Sequence, residues 1–160
     1  MHQPLILTAR LDEQSQRYFN RLRSEYFPAE RNYLDAHLTL FHALPGEALA
    51  EIRATLQALS GAFPLQAATS GLRFLGRGVA YEVSCPELVQ VRRELAERWR
   101  EWLTPQDAQG LRPHITVQNK VDPKVARALY GELRATFQTL PFQITGLDLW
   151  RYEGGPWTPV

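Results

Sequence analysis

Three scarcities narrow this 160-residue chain before any motif is considered. A single cysteine, Cys85, excludes an internal disulfide and fits a reducing compartment. Neither sign of charge is in surplus: 18 Lys and Arg face 17 Asp and Glu, for a net charge of +1. That leaves no broad positive field to hold long nucleic acid, while a small anion or a short RNA end stays open. No apolar run approaches the roughly 20 residues that a membrane-crossing helix needs. The opening Met1-His2-Gln3-Pro4-Leu5-Ile6-Leu7-Thr8 has neither the basic flank nor the apolar core of a secretory signal. Asp35-Ala36-His37 has no second cluster of ligands at useful spacing, so neither a metal nor another cofactor is expected. The expectation is a cytoplasmic monomer without a membrane partner, folded as one domain over residues 1–160, its 44% hydrophobic content ample for a packed interior.

What the chain does contain is one short pattern written twice. Ala36-His37-Leu38-Thr39-Leu40-Phe41 and Pro113-His114-Ile115-Thr116-Val117-Gln118 each place a threonine two positions after a histidine, with aliphatic residues between and after them. In a strand, positions i and i+2 share a face about 7 Å apart. His37 and Thr39 therefore point one way and Leu38 and Leu40 the other, and His114 and Thr116 are divided from Ile115 and Val117 in the same manner. Phe41, Gln118 and Arg112 share the parity of their motifs and are candidate substrate contacts. His42, five positions beyond His37, falls on the aliphatic side of an unbroken strand or leaves the sheet.

Around these strands the pattern predicts a first strand from Leu5 to Arg10 and a helix from an Asp12 cap to about Phe27. A second helix carries Leu49, Ile52, Leu56 and Leu59 on one stripe. Two or three strands lie between Phe63 and Ser84, turning at Gly76-Arg77-Gly78. Ser84-Cys85-Pro86-Glu87 has the serine and glutamate of a capping box before a third helix that reaches about Leu103. A fourth opens at Asp122-Pro123, turns Val125, Leu129, Leu133 and Phe137 inward, and stops near Pro141. Phe142 to Tyr152 reads as a closing strand and the tail from Gly154 as irregular. Arg92-Arg93 and Arg98-x-Arg100, interleaved with Glu94, Glu97 and Glu101, describe a solvated helix face.

The order histidine strand, helix, Gly-Leu strand occurs twice. His37 and His114 are 77 residues apart, and Gly71 and Gly146 are 75 apart. A duplicated unit gives a pseudo-two-fold molecule in which equivalent strands meet near the axis. The expected fold is α+β and bilobal, built of duplicated β-α-β units whose antiparallel central sheets line a cleft, with His37 facing His114.

Imidazole accepts a proton when neutral and donates one when protonated, and its ordinary pKa of about 6.5 lets both forms exist near neutrality. Two such rings on opposite sides of a phosphodiester serve as base and acid in line. A threonine hydroxyl on the face of each can donate to a non-bridging phosphate oxygen. Such a site works without a metal.

With His37-Leu38-Thr39-Leu40 and His114-Ile115-Thr116-Val117 in place, the chain resembles the 2H phosphoesterase superfamily, and within it the 2'-5' RNA ligase or RNA 2',3'-cyclic phosphodiesterase branch. The resemblance extends over the whole chain in element order. It implies a bilobal α+β fold with the motifs on adjacent central strands, metal-independent hydrolysis of a 2',3'-cyclic phosphate, and in some members the reverse ligation. It assigns His37 and His114 as acid and base, and Thr39 and Thr116 as phosphate ligands. Many members of the ligase branch carry an arginine soon after the second motif, where this chain has Gln118-Asn119-Lys120. Two other readings stay open: a nucleotide-binding module without chemistry, and a phosphodiesterase for a small cyclic phosphate such as that of ADP-ribose.

Overall fold

The computed structural model describes residues 2–160. In chain order the elements are β1 (Leu5–Leu11), α1 (Glu13–Tyr26), β2 (Leu38–Leu44), α2 (Leu49–Ala58), β3 (Leu65–Phe74), β4 (Val79–Ser84), α3 (Pro86–Arg98), β5 (His114–Gln118), α4 (Pro123–Ala135), β6 (Pro141–Tyr152) and β7 (Trp157–Pro159). The fold is α+β, with the strands joined antiparallel in the order β2-β1-β6-β3-β4-β5 and β7 added beside β6.

The repeat is larger than the sequence shows. A β-α-β-α-β unit runs from β1 to β3 and again from β4 to β6, and the two are interlocked. β1 and β2 continue the sheet onto β6 of the second unit, while β4 and β5 continue it onto β3 of the first. The halves join where β3 pairs with β6, and there Ala67 lies opposite Phe142. Those two residues are 75 apart, the same separation as Gly71 and Gly146, so each faces its own counterpart across the pseudo-two-fold axis.

This topology corrects one expectation. The histidine strands are not adjacent central strands; β2 and β5 are the two ends of the hydrogen-bonded path. The sheet bends so that its ends approach each other without pairing. End strands leave a row of backbone N–H and C=O groups without ladder partners, and the helices of the opposite half meet that need, α1 packing on β5 and α3 on β2.

Local chemistry explains two of the four helix starts. Asp12 accepts from Ser15 N at 2.8 Å and starts α1, and Asp122 accepts from Lys124 N at 2.9 Å ahead of Pro123 in α4. The capping box before α3 does not form: Ser84 ends β4, and Cys85 occupies the cap without a side-chain bond. In α4 the buried stripe is Ala126, Leu129 and Leu133, whereas Val125 is 52% exposed. The tail is not irregular throughout, since Trp157–Pro159 pairs with the end of the long β6. Inside, Phe19 of α1 meets Tyr81 and Phe142 edge-on, and Trp99, beyond the end of α3, meets Phe41. Each such side chain fully removed from water contributes about 1.5–3 kcal/mol.

Candidate active site

The two motifs alternate as strands should for three residues after each histidine. Leu38, Leu40, Ile115 and Val117 are buried to 1% exposure or less, and His37, Thr39, His114 and Thr116 stay partly accessible. The alternation then breaks at the same place in both copies. On β2, Thr39 pairs with Thr8 but Phe41 with Leu7; on β5, Thr116 pairs with Ala80 but Gln118 with Val79. One extra residue in each case, Leu40 or Val117, makes a β-bulge. In β5 the bulge is pressed against Gly78, where a Cβ would collide with the Gln118 carbonyl oxygen.

The bulges decide the fate of the residues assigned by parity. Phe41 and Gln118 turn inward, buried at 0% and 3% exposure, so neither lies open to a substrate. Phe41 packs against Trp99 and beneath the Arg92 guanidinium, 4.2 Å from its ring centre. Gln118 keeps a buried Oε1 with no hydrogen-bond partner. Arg112 is exposed, and its carbonyl oxygen serves the site. His42, which parity placed inward or off the sheet, comes out on the side of His37 and Thr39 with an exposed ring.

Each motif histidine is held in one way. His37 Nδ1 lies 2.8 Å from the Asp35 carbonyl oxygen, and His114 Nδ1 lies 3.0 Å from that of Arg112, two residues upstream in both cases. A carbonyl only accepts, so Nδ1 carries the proton and Nε2 is left for exchange. An Arg73 guanidinium nitrogen also stands 3.2 Å from His114 Nδ1. The shorter contact, repeated at His37, takes the proton, and Arg73 acts on the ring through its charge.

Both rings resist protonation. Burial, with the charges of Arg23, His114 and His42, pushes His37 down to about 4 against the hydrogen bond its Nδ1 donates to the Asp35 carbonyl oxygen, which works the other way. Burial, then Arg73, His42 and Arg112, lowers His114. The three imidazoles therefore lie within electrostatic reach of one another. Between pH 6.5 and 4 the unfolded chain binds more protons at His37 than the folded one, so stability falls as pH falls through that window. Urea unfolding at about pH 7 and about pH 4.5 should show the loss, and His37→Gln should remove part of it; equal losses in both proteins would contradict the assignment.

Beside His37 lies a cavity of about 330 Å³ lined by Tyr33, Trp150, Trp157, Arg10 and Asp148. The Trp157 ring centre is 4.7 Å from that of His37. Tyr81 is buried in the core and does not face this cavity. A larger hollow of about 610 Å³, between the start of α1 and the start of β6, contains neither motif histidine. Among the described residues no group of three or more His, Cys, Asp and Glu side chains gathers as a metal site, and no helix is long and apolar enough to cross a membrane. Cys85 is buried, which raises its thiol pKa.

A family model described as the 2'-5' RNA ligase superfamily matches residues 11–156. The chain belongs to that superfamily. Solved structures share the fold of this superfamily member over nearly its whole length. The protein TT0787 of Thermus thermophilus is 17% identical with a TM-score of 0.67, over 98% of this chain and 94% of that one. Escherichia coli LigT complexed with 3'-AMP is 22% identical with a TM-score of 0.60, over 100% and 96%. A structure described as a phosphoesterase is 20% identical with a TM-score of 0.56, over 100% and 96%. No curated protein sequence matches the chain.

Sequence reasoning misses four residues at this site of the superfamily member: Arg73, Trp157, Asp107 and His42. Arg73 arrives from β3 and Trp157 from the tail strand, so only pairing at long range puts them there. Asp107 lies in the loop after α3, 65 residues from the His42 it bonds. His42 carries a local signal, the adjacent large apolar pair Leu40-Phe41, which a regular half-buried strand does not place on one face.

Proposed function

We propose that this protein is a phosphodiesterase that opens the 2',3'-cyclic phosphate of a nucleotide or short RNA end by two-histidine acid-base catalysis. The observation that carries the reading is the matched pair of imidazoles, each with Nδ1–H spent on a backbone carbonyl and Nε2 left over, on two strands that the bend of the sheet brings together. His37, the ring pushed furthest down, is neutral near pH 7 and serves as base. It takes a proton from water at Nε2 while the water oxygen attacks phosphorus. The bond to one ribose oxygen breaks, and His114 Nε2 gives that oxygen its proton. Thr39 and Thr116 donate to the non-bridging oxygens. Run backwards with a ribose hydroxyl as the entering group, the same two rings support ligation.

The cavity beside His37 suits a single base, with Tyr33, Trp150 and Trp157 as aromatic faces. With the near-zero net charge, this favours a mononucleotide or a small cyclic phosphate such as that of ADP-ribose over long RNA. LigT has been seen with 3'-AMP and with NADP+, which agrees with a small nucleotide ligand here. The test is incubation in chelator with 2',3'-cyclic nucleotides, a cyclic-phosphate-ended oligonucleotide and ADP-ribose cyclic phosphate. Turnover of at least one is expected; mononucleotide binding with no turnover of any would support a binding module instead.

The lowered pKa values also fix a pH profile. The base must be neutral and the acid protonated, so kcat/KM should rise as His37 loses its proton near pH 4 and fall as His114 loses its own below 6.5. A maximum on the acid side of pH 6.5 is expected. A rate still climbing above about pH 8 would remove both roles, because no protonated motif imidazole is left there to serve as acid.

A further inference from the structure

We propose that His42 is a third imidazole of the site, contacting the substrate phosphate through Nε2 and oriented for that task by Asp107. The inference rests on the phosphate chemistry proposed above and adds a residue to which that chemistry assigned nothing. The bulge at Leu40-Phe41 brings His42 out beyond Thr39, with its side chain 46% exposed. Asp107 is completely buried, and its Oδ1 lies 3.0 Å from His42 Nδ1. The same carboxylate accepts from His42 N at 2.9 Å through either oxygen and from Ala43 N at 2.9 Å.

Asp107 is itself fixed from two directions. Its backbone N–H donates to Thr104 Oγ1 at 3.2 Å, and its carbonyl oxygen accepts from Arg92 at 2.6 Å. Burial would raise its pKa, but the bonds from the His42 ring and from the two backbone N–H groups outweigh that and lower it, so it is a carboxylate. An ionised carboxylate only accepts. His42 therefore carries its proton on Nδ1 and keeps Nε2 clear, the same tautomer as His37 and His114.

The partner differs, and the difference has a chemical consequence. His37 and His114 rest on neutral carbonyls, and both are discouraged from holding a second proton. Of the three rings only His42 is bonded to a carboxylate. Contact between Nε2 and an anionic oxygen needs a proton on Nε2 as well, and bound phosphate on one side with Asp107 on the other is the setting that holds a proton on both ring nitrogens as negative charge collects on phosphorus. The ring also supports the buried Asp107 carboxylate through Nδ1, and that structural role leaves Nε2 free for a ligand.

The experiment compares wild type with His42→Gln using inorganic phosphate and, in parallel, a 2',3'-cyclic nucleotide. In long-range 1H–15N spectra of the imidazoles, with His42 assigned by its absence from the variant, phosphate should shift the His42 Nε2 resonance. His42→Gln should weaken inhibition by phosphate at least fivefold and lower kcat/KM at least tenfold, with a thermal midpoint within a few degrees of wild type. Phosphate affinity and kcat/KM within twofold of wild type would overturn the proposal, as would a lowered midpoint with phosphate affinity unchanged. If wild type turns over no cyclic phosphate, the proposed reaction fails, and the phosphate titration alone decides: a shift at His42 Nε2 supports the contact and its absence removes it.

Discussion

His37→Ala and His114→Ala are each expected to lower kcat on a cyclic phosphate by about 10³-fold or more, within the range set by loss of a general acid or base. The fold should survive, because each ring gives the structure one hydrogen bond, to a carbonyl two residues upstream in the chain. His37 also leaves a contact with Trp157, which still has Trp150 at 6.3 Å and the β6 pairing to hold it. Because base and acid act in one displacement, the double variant should be little slower than either single one. Thr39→Val and Thr116→Val should be milder, about 10- to 100-fold, since each removes one donor to an oxygen that keeps others. Single-turnover rates with far-ultraviolet melting curves measure both quantities. A histidine variant that keeps a tenth of the wild-type rate would end the two-histidine mechanism.

How much of this is legible in the sequence depends on how far a strand keeps its alternation. From His37 to Leu40 and from His114 to Val117 the period of two holds, and those residues read correctly as two faces. One residue further the bulges reverse it, so parity assigns Phe41 and Gln118 to the cleft that His42 in fact faces. Arg92 misleads for another reason. Its neighbours Arg93, Glu94 and Glu97 are solvated, but Arg92 lies at 5% exposure against an end strand that the sequence does not place. The same holds for Arg23 on α1, 4% exposed, whose guanidinium donates to the Thr116 carbonyl oxygen at 3.1 Å and which burial lowers to about 10. The repeat is visible as a spacing of 75 to 77 residues, but not the exchange of strands between its units. That exchange follows from pairing over long range and leaves no local trace.

The buried Arg92–Asp107 pair should be the most costly polar group to remove from the fold. Arg92 Nε donates to the Leu40 carbonyl oxygen at 3.1 Å, on the bulge, while Asp107 takes the N–H groups of His42 and Ala43 just after it. Together they satisfy the backbone of an end strand where no neighbouring strand can. Asp107→Ala strands two N–H groups and removes a carboxylate whose charge favours the Arg92 cation, for a loss of about 3–5 kcal/mol. Against a total stability of about 5–15 kcal/mol, that is enough to unfold a large fraction of molecules near physiological temperature. Asp107→Asn keeps one accepting oxygen and should lose about half as much. Arg92→Met preserves the stem over Phe41 but leaves the Leu40 and Asp107 carbonyl oxygens without the guanidinium, for about 2–4 kcal/mol. Because the two side chains serve one segment, the double variant should be less destabilised than the two losses added, with a coupling of about 1 kcal/mol or more. Urea unfolding of wild type, the two single variants and the double variant closes that cycle. A loss below about 1 kcal/mol for Asp107→Ala would mean that the bulge is held by something other than this pair.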